Sequence, residues 1–205
     1  MFYKKVLPAY LLLLFLTKLV GLGQLNPPAE TTRWMVTESS SLSVNGSTNI
    51  NTFTCDIPNY NQTDTLIVYK GKCVKGVVLS GSINLNIQSF DCHNSIMTHD
   101  LRKTLNDKQF PQLHISFLTL NKLPQISTQP EMITGMVDIE LAGTRKRMEV
   151  NYQISEDAKK TIHLLGSRDI NFSDFNLTPP RKLGGMIKTD DKLKVAFHLK
   201  MRAMN

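Results

Sequence analysis

The sequence has few of the patterns that would identify an enzyme or a metalloprotein. Its 205 residues include three cysteines and no Cys-x-x-Cys pair, which argues against a thioredoxin-like redox motif and a zinc ribbon. It also has no His-x-x-x-His spacing and no Gly-x-Ser-x-Gly nucleophile elbow. We therefore predict no catalytic residues, no metal ligands and no cofactor, and expect that the protein is not an enzyme.

The chain also lacks a dense basic block interleaved with aromatic residues, which nucleic-acid binding would favour. Its formal net charge is +7, and lysines at positions 4, 5 and 18 contribute three of these charges. The nearest approach to a basic patch is TRKR at Thr144–Arg147, between two strand patterns. We interpret it as a solvated hairpin turn and predict no nucleic-acid partner.

A long apolar run occurs only at the N-terminus. Two lysines precede VLPAYLLLLFL, and the small residues of VGLG follow it, as in a signal peptide cut after Gly23. An uncleaved anchor is the alternative, but Pro8 and Lys18 leave the run short of the roughly 20 residues that a span needs. We predict a signal peptide over 1–23, a linker over 24–32 and one domain over 33–205. The mature protein is expected to be periplasmic or secreted, without a stable membrane anchor.

Most of the remaining sequence alternates between apolar and polar residues, which predicts strands with one buried face. The clearest segments are 81–88, 112–120, 133–142, 147–155 and 192–201, and weaker candidates are 41–44, 50–55, 66–69, 74–79 and 161–165. The pattern indicates an all-β fold of about eight antiparallel strands, closed as a barrel or packed as a sandwich. At about this strand number a barrel interior is either filled by side chains or holds one small ligand, and alternation does not distinguish the two.

One segment between two strand patterns predicts a short helix, near residues 95–106. Asn94 or Ser95 can cap its start, and Met97, Leu101 and Leu105 form one apolar stripe. A helix with a single such stripe is expected to lie as a lid on the core. Cys92, His93 and His99 are close in sequence, with aspartates at 91 and 100, but without metal-ligand spacing they are interpreted as solvated or capping residues.

Four segments, in order, resemble the YceI-like family of lipocalin-like polyisoprenoid-binding proteins. In HDLRKTLNDKQFPQLHISF, the residues Asp100, Phe110, Pro111, Ile115 and Phe117 match the family pattern, whereas His99 replaces the usual arginine. The other segments are VNGSTNINTFTC with its inward Phe53, ITGMVDIELAGTRKRMEVNYQI with Gly135, Gly143, Thr144 and Lys146, and the closing FSDFNLTPPRKLGGMIKTDDKLKVAFHLKM. The paired FTC and FDC are similar to short versions exported by Bacteroidetes-type bacteria.

The resemblance implies a barrel around an elongated apolar cavity, and a non-catalytic role in sequestering or carrying an isoprenoid-like or fatty ligand. A structural or interaction module with a filled core is the first alternative, and an enzyme of unknown type is the second. The oligomeric state and the identity of the ligand are left open. The predicted cavity residues are those of the apolar strand faces and the helix stripe: Phe53, Ile83, Leu85, Ile87, Met97, Leu101, Leu113, Ile115, Phe117, Val137, Ile139, Leu141, Val150, Tyr152, Val195, Phe197 and Leu199.

The three cysteines allow at most one internal disulfide, which an exported chain is able to form. We favour Cys55–Cys92, with Cys73 free, because this bridge would tie the start of the helix to the barrel wall. Cys55–Cys73 and three reduced thiols are the alternatives.

Overall fold

The computed structural model describes residues 30–70 and 76–204 and places twelve strands and one α-helix in them. The helix, α1, spans Ser95–Thr104. The strands are β1 Glu30–Val36, β2 Ser41–Ser47, β3 Thr52–Ile57, β4 Thr65–Lys70, β5 Val77–Asn86, β6 Gln112–Leu120, β7 Glu131–Leu141, β8 Thr144–Glu156, β9 Ile162–Asn171, β10 Arg181–Lys182, β11 Ile187–Lys188 and β12 Lys192–Met204.

Eight of these strands close into an antiparallel ring. The ring runs in the order β1-β4-β5-β6-β7-β8-β9-β12 and is completed by pairing between β1 and β12. Closure occurs because β12 is long: its end pairs with β1 from Val36↔Met201 to Arg33↔Met204, while its first half pairs with β2. The β2–β3 hairpin continues the wall beside β12. The predicted all-β, eight-stranded antiparallel barrel is confirmed.

The apolar faces of the strands point into this ring, as their alternation predicts. In β12 the inward positions include the buried Leu193, Leu199 and Met201, whereas the lysines between them face outwards. Most inward side chains belong to one continuous hydrophobic core. The strand β1 has no counterpart in the sequence prediction, and it begins at Glu30, so the predicted linker over 24–32 overlaps it in residues 30–32.

Helix α1 covers one end of the barrel, as the lid helix was expected to do. The Asn94 side chain accepts a hydrogen bond from the backbone N–H of Met97 at 3.0 Å, which caps the first turn. The helix ends at Thr104, two residues before the predicted boundary. Asn106 adopts a left-handed backbone conformation with φ of 54°, which is incompatible with continuing the helix.

A disulfide between Cys55 and Cys92 joins β3 to the start of the helix. The neighbouring Asp56 and Asp91 exchange two backbone hydrogen bonds, of 2.7 and 2.9 Å, so that the cysteines face each other as an antiparallel pair of the closer, non-hydrogen-bonded kind. This arrangement brings the two Cα atoms close together, at 3.9 Å. The structure therefore contains the favoured pairing.

The basic stretch Thr144–Arg147 lies in strand β8 and not in a turn, which corrects the sequence interpretation. The tight turn is formed by Ala142 and Gly143, both with positive φ, as the twist of a two-residue hairpin requires. Arg147 pairs with Asp138 directly across the hairpin through two hydrogen bonds of 2.8 and 2.9 Å. Arg145 bonds Glu140 in the same way at the next outward position, at 2.7 Å.

Two predictions concern residues outside the described part of the chain. The signal peptide over 1–23 lies before residue 30, and the thiol of Cys73 lies within 71–75. Among the described residues, no helix is both long enough and apolar enough to span a membrane.

Candidate apolar binding site

The interior of the barrel contains a cavity beneath α1. Its volume is about 80 Å³, and aliphatic or aromatic groups form nearly all of its wall. Leu101 of α1 and Leu105, the residue that follows the helix, contribute its roof, whereas strands of the barrel supply the sides. The lining residues are Leu42, Val44, Phe90, Leu101, Leu105, Leu113, Ile115, Val137, Ile139, Leu141, Val150, Arg168, Ile170, Leu193, Val195 and Phe197.

A second, smaller cavity of about 20 Å³ lies deeper in the barrel. The buried Tyr60 lines it and places its hydroxyl in a local polar cluster, donating to the Asp64 carboxylate and accepting from the N–H of Asn84 at 3.2 Å. Burial and the neighbouring carboxylate raise the pKa of Tyr60 well above its ordinary value. The phenol therefore stays neutral, and this end of the interior carries no charge from it.

A third space, an apolar groove of about 260 Å³, lies outside the roof of the barrel. It is bounded by α1, by the turn between β2 and β3, and by the β10–β11 hairpin. A salt bridge between Lys182 and Asp100 crosses it, joining the hairpin to the helix. The lining residues are Thr48, Ile50, Asn51, Phe53, Cys55, Asn94, Ile96, Met97, Asp100, Leu101, Pro180, Lys182, Ile187 and Thr189.

Shared lining residues place the three spaces in series. Leu101 lines both the groove and the larger cavity. Leu42, Ile115 and Phe197 line both cavities. The interior is thus an apolar path interrupted at two constrictions.

The inner constriction depends on one glycine. Gly166 lies opposite Phe197 in the β9–β12 ladder and opposite Tyr152 in the β8–β9 ladder. Because Gly166 has no side chain, the Phe197 ring lies over its backbone, and the two rings meet edge to face with centroids 5.8 Å apart.

The structure brings most of the predicted cavity residues to these spaces. Two form exceptions. Ile87 falls in a 3-10 turn after β5 and is fully buried away from the cavities, because β5 ends at Asn86. Tyr152 is buried against Phe197 and lines none of the three spaces. Of the others, nine line the larger cavity, six line the smaller, and Phe53, Met97 and Leu101 line the groove.

Several lining residues were absent from the prediction. Leu42 and Val44 come from the weakly predicted β2, and Leu193 belongs to the predicted strand 192–201 but is not among the predicted cavity residues. A charged residue, Arg168, also lines the larger cavity. The alternation of β9 places it on the inward face, yet the residue is exposed. Because polar atoms contribute almost nothing to the cavity wall, the hydrocarbon part of the Arg168 side chain forms the wall and the guanidinium group extends to solvent.

Most of the residues that the sequence analysis weighed as metal ligands near α1 are engaged in separate local contacts. His93 Nε2 lies 3.1 Å from the carboxylate of Asp56, Asp100 pairs with Lys182, and Cys92 is held in the disulfide. A different pair, His163 and His198, lies on the outer wall with ring nitrogens 2.8 Å apart. Burial, His163 and Lys200 lower the pKa of His198 below its ordinary value.

Comparison of the sequence with protein-family models and with curated proteins finds no match. Several solved structures match this chain. A polyisoprenoid binding domain from Saccharophagus degradans, implicated in plant cell wall breakdown, superposes with a TM-score of 0.63 and 11% sequence identity, over 83% of this chain and 98% of that one. BcnA of Burkholderia cenocepacia superposes with a TM-score of 0.57 and 16% identity, over 78% of this chain and 95% of BcnA. A Campylobacter jejuni YCEI protein has a TM-score of 0.48 and 14% identity, over 62% of this chain and 72% of that protein. At these identities the first two superpositions establish the architecture alone: the chain shares its fold with the polyisoprenoid binding domain and with BcnA, and in this chain that fold is a closed antiparallel barrel of eight strands with one short helix.

Proposed function

We propose that the barrel sequesters or carries an apolar ligand with an extended chain, isoprenoid-like or fatty, and that it acts without catalysis. The observation that carries the proposal is the apolar path from the groove through Leu101 into the two cavities. Burying a methylene group in such surroundings is worth about 0.8 kcal/mol, so several carbons suffice for useful affinity. The likeness to a fold that includes a polyisoprenoid binding domain supports this ligand class.

The small size of the cavities means that side chains must move before a ligand can enter. Their volumes of about 80 and 20 Å³ are too small for a long chain as the side chains stand. Entry therefore requires Leu101 to move away from the roof, and deeper entry requires the Phe197 ring to rotate. Both are single side chains in apolar surroundings, so their displacement leaves backbone hydrogen bonds intact.

A second candidate is a structural or interaction module with a filled core. The same small volumes favour it, because a core without a ligand is normally close-packed. The two functions differ in one respect: only the first requires that an apolar molecule displace side chains of the barrel.

Native mass spectrometry distinguishes them. Protein purified from its own host, and protein mixed with farnesol or palmitate, should carry a ligand that organic extraction removes. Val195→Phe should abolish this binding, since Val195 lines the larger cavity. Val78→Phe is the matched control, because Val78 is exposed on the outer wall. Absence of any ligand from wild-type protein in all three samples would refute the proposal and favour the filled-core module.

Export is part of the proposed role. The charged and apolar start of the sequence and the disulfide between Cys55 and Cys92 both suit a protein that matures in an oxidising compartment. We expect N-terminal sequencing of the protein from its own host to begin at Gln24. A sequence beginning at Met1 or Phe2 would show that residues 1–23 are retained.

A further inference from the structure

The most exposed apolar side chains gather at the groove end of the barrel. Among the described residues, five large apolar side chains are more than 60% exposed: two of them line the groove, and two more belong to the β10–β11 hairpin that bounds it. We call these four the apolar rim: Ile50, Ile96, Leu183 and Met186, at 65%, 66%, 66% and 70% exposure. The fifth, Met132 at 63%, lies at the start of β7, at the other end of the barrel.

Half of the apolar rim stands at the tip of the β10–β11 hairpin, which projects away from the rest of the described chain. A Cβ added to either Gly184 or Gly185 would have no atom of the described residues within 4 Å. Leu183 has a φ of 50°, a conformation unfavourable for a bulky residue. A leucine that is 66% exposed gains little from packing against the described chain, which indicates that its side chain serves a contact outside it.

The hairpin is held firmly to the neighbouring turn that carries Ile50. The Asn49 side chain donates to the carbonyl of Met186 at 2.9 Å and accepts from the N–H of Lys188 at 2.9 Å. The backbone N–H of Asn49 also donates to the carbonyl of Lys188 at 3.1 Å. The tip and the turn therefore present their apolar side chains as one preformed surface.

The hairpin also carries a net positive charge. Its eight residues, 181–188, include three basic and no acidic side chains. Lys182 faces the groove and pairs with Asp100, while Arg181 and Lys188 are both exposed and lie directly opposite each other in the register. Like charges placed opposite on adjacent strands repel, so an anionic partner at this position would stabilise the pair.

From this combination we propose that the apolar rim docks onto the surface of an anionic lipid bilayer. Exposed apolar tips that enter the headgroup region, flanked by lysine or arginine beside the phosphates, are the features of interfacial binding. The docked orientation turns the groove, and behind it the larger cavity, towards the lipid. This goes beyond ligand binding by naming where the protein would exchange its ligand.

Vesicle sedimentation tests the apolar part of the proposal. Purified protein should bind equimolar phosphatidylcholine–phosphatidylglycerol vesicles. The double variant Leu183→Asn with Met186→Asn should reduce the partition coefficient by about tenfold or more, since two inserting side chains are lost. Asparagine is suitable because it tolerates the left-handed conformation at position 183. Met132→Asn is the matched control and should bind as wild type does.

A second double variant tests the contribution of the exposed basic residues. Arg181→Gln with Lys188→Gln should lower partition into the same vesicles by about tenfold and weaken its dependence on salt. Wild-type protein should bind phosphatidylcholine vesicles much less. Equal binding to both vesicle types, unchanged binding by the rim variant, or a dimer in sedimentation equilibrium that the rim variant dissolves would overturn the proposal. Farnesol binding without vesicles, measured by mass spectrometry, should persist in all variants, so failure of docking and failure of ligand binding are distinguishable.

Discussion

Phe197 occupies space that only a glycine at position 166 leaves open. A Cβ built on Gly166 would lie 2.1 Å from the Cζ atom of Phe197, far inside contact distance. The ring is therefore free to lie across the barrel between the two cavities, with Tyr152 against its edge. One cross-strand pair thus sets both the local packing and the length of the space available to a ligand.

Gly166→Ala should destabilise the barrel by about 1–3 kcal/mol, because the new methyl group forces the Phe197 ring out of its position. Urea unfolding with a constant m-value would measure the loss. Ser167→Ala, at the neighbouring outward position, is the control and should change little. An unaltered unfolding free energy in Gly166→Ala would show that the ring is not confined.

Phe197→Ala should join the two cavities into one. We expect a loss of about 3–5 kcal/mol in unfolding free energy, the usual cost of removing a core phenylalanine, reduced to the extent that Phe197 is only partly buried. In native mass spectrometry the variant should accept longer fatty chains than wild type does. Identical chain-length preference would contradict the assignment of Phe197 as the inner constriction.

Tyr152→Phe should leave stability unchanged or raise it by about 1 kcal/mol. The Tyr152 hydroxyl is buried and has no hydrogen-bond partner among the described residues, and a buried donor without a partner costs free energy. The ring contact with Phe197 is retained in the variant. A clear loss of stability on thermal unfolding would indicate that the hydroxyl is bonded after all.

Reduction of the Cys55–Cys92 disulfide should lower the unfolding free energy by about 3–4 kcal/mol in the chain-entropy model. The bridge spans 37 residues of sequence and holds the segment that leads into α1. Cys55→Ser with Cys92→Ser should reproduce the effect, and reductant should then have no further influence on that variant. Equal stability of oxidised and reduced wild-type protein would contradict a stabilising role.

The His163–His198 pair should make stability depend on pH. The pKa of His198 is lowered by its burial and by the nearby His163 and Lys200, so the folded chain binds fewer protons than the unfolded chain. This contribution is complete above the ordinary pKa of 6.5, and it is lost as the pH falls from there through the lower pKa that His198 has in the folded chain.

Between about pH 7.5 and pH 5.5, therefore, His198→Asn should show a smaller fall in Tm than wild type does. The variant keeps the other contact of His163, with the Asp157 carboxylate at 3.3 Å, so the comparison isolates His198. His99→Asn, on the exposed side of α1, is the control and should keep the wild-type pH dependence. Equal slopes for wild type and His198→Asn would exclude His198 as the source.

Local patterns in the sequence were sufficient for the helix and for most strands of the barrel, although not for β1 or for the short β10 and β11. Alternation along 192–201 identified the inward face of β12, since successive side chains in a strand point to opposite sides. Asn94 and the stripe of Met97, Leu101 and Leu105 predicted α1 because caps and helical spacing are short-range features. The all-β class and the apolar character of the interior follow from these local preferences.

The features that define the site depend on contacts between distant residues, which only the tertiary structure decided. Pairing of β1 with the end of β12 closes the ring, and neither strand carries a local signal for the other. Gly166 and Phe197 are 31 residues apart, so the constriction follows from the register of two strands. The apolar rim likewise combines a turn, the start of a helix and a hairpin, which lie together only once the barrel has closed. Alternation is a property of neighbouring residues in the sequence, whereas packing depends on contacts between residues far apart in the sequence.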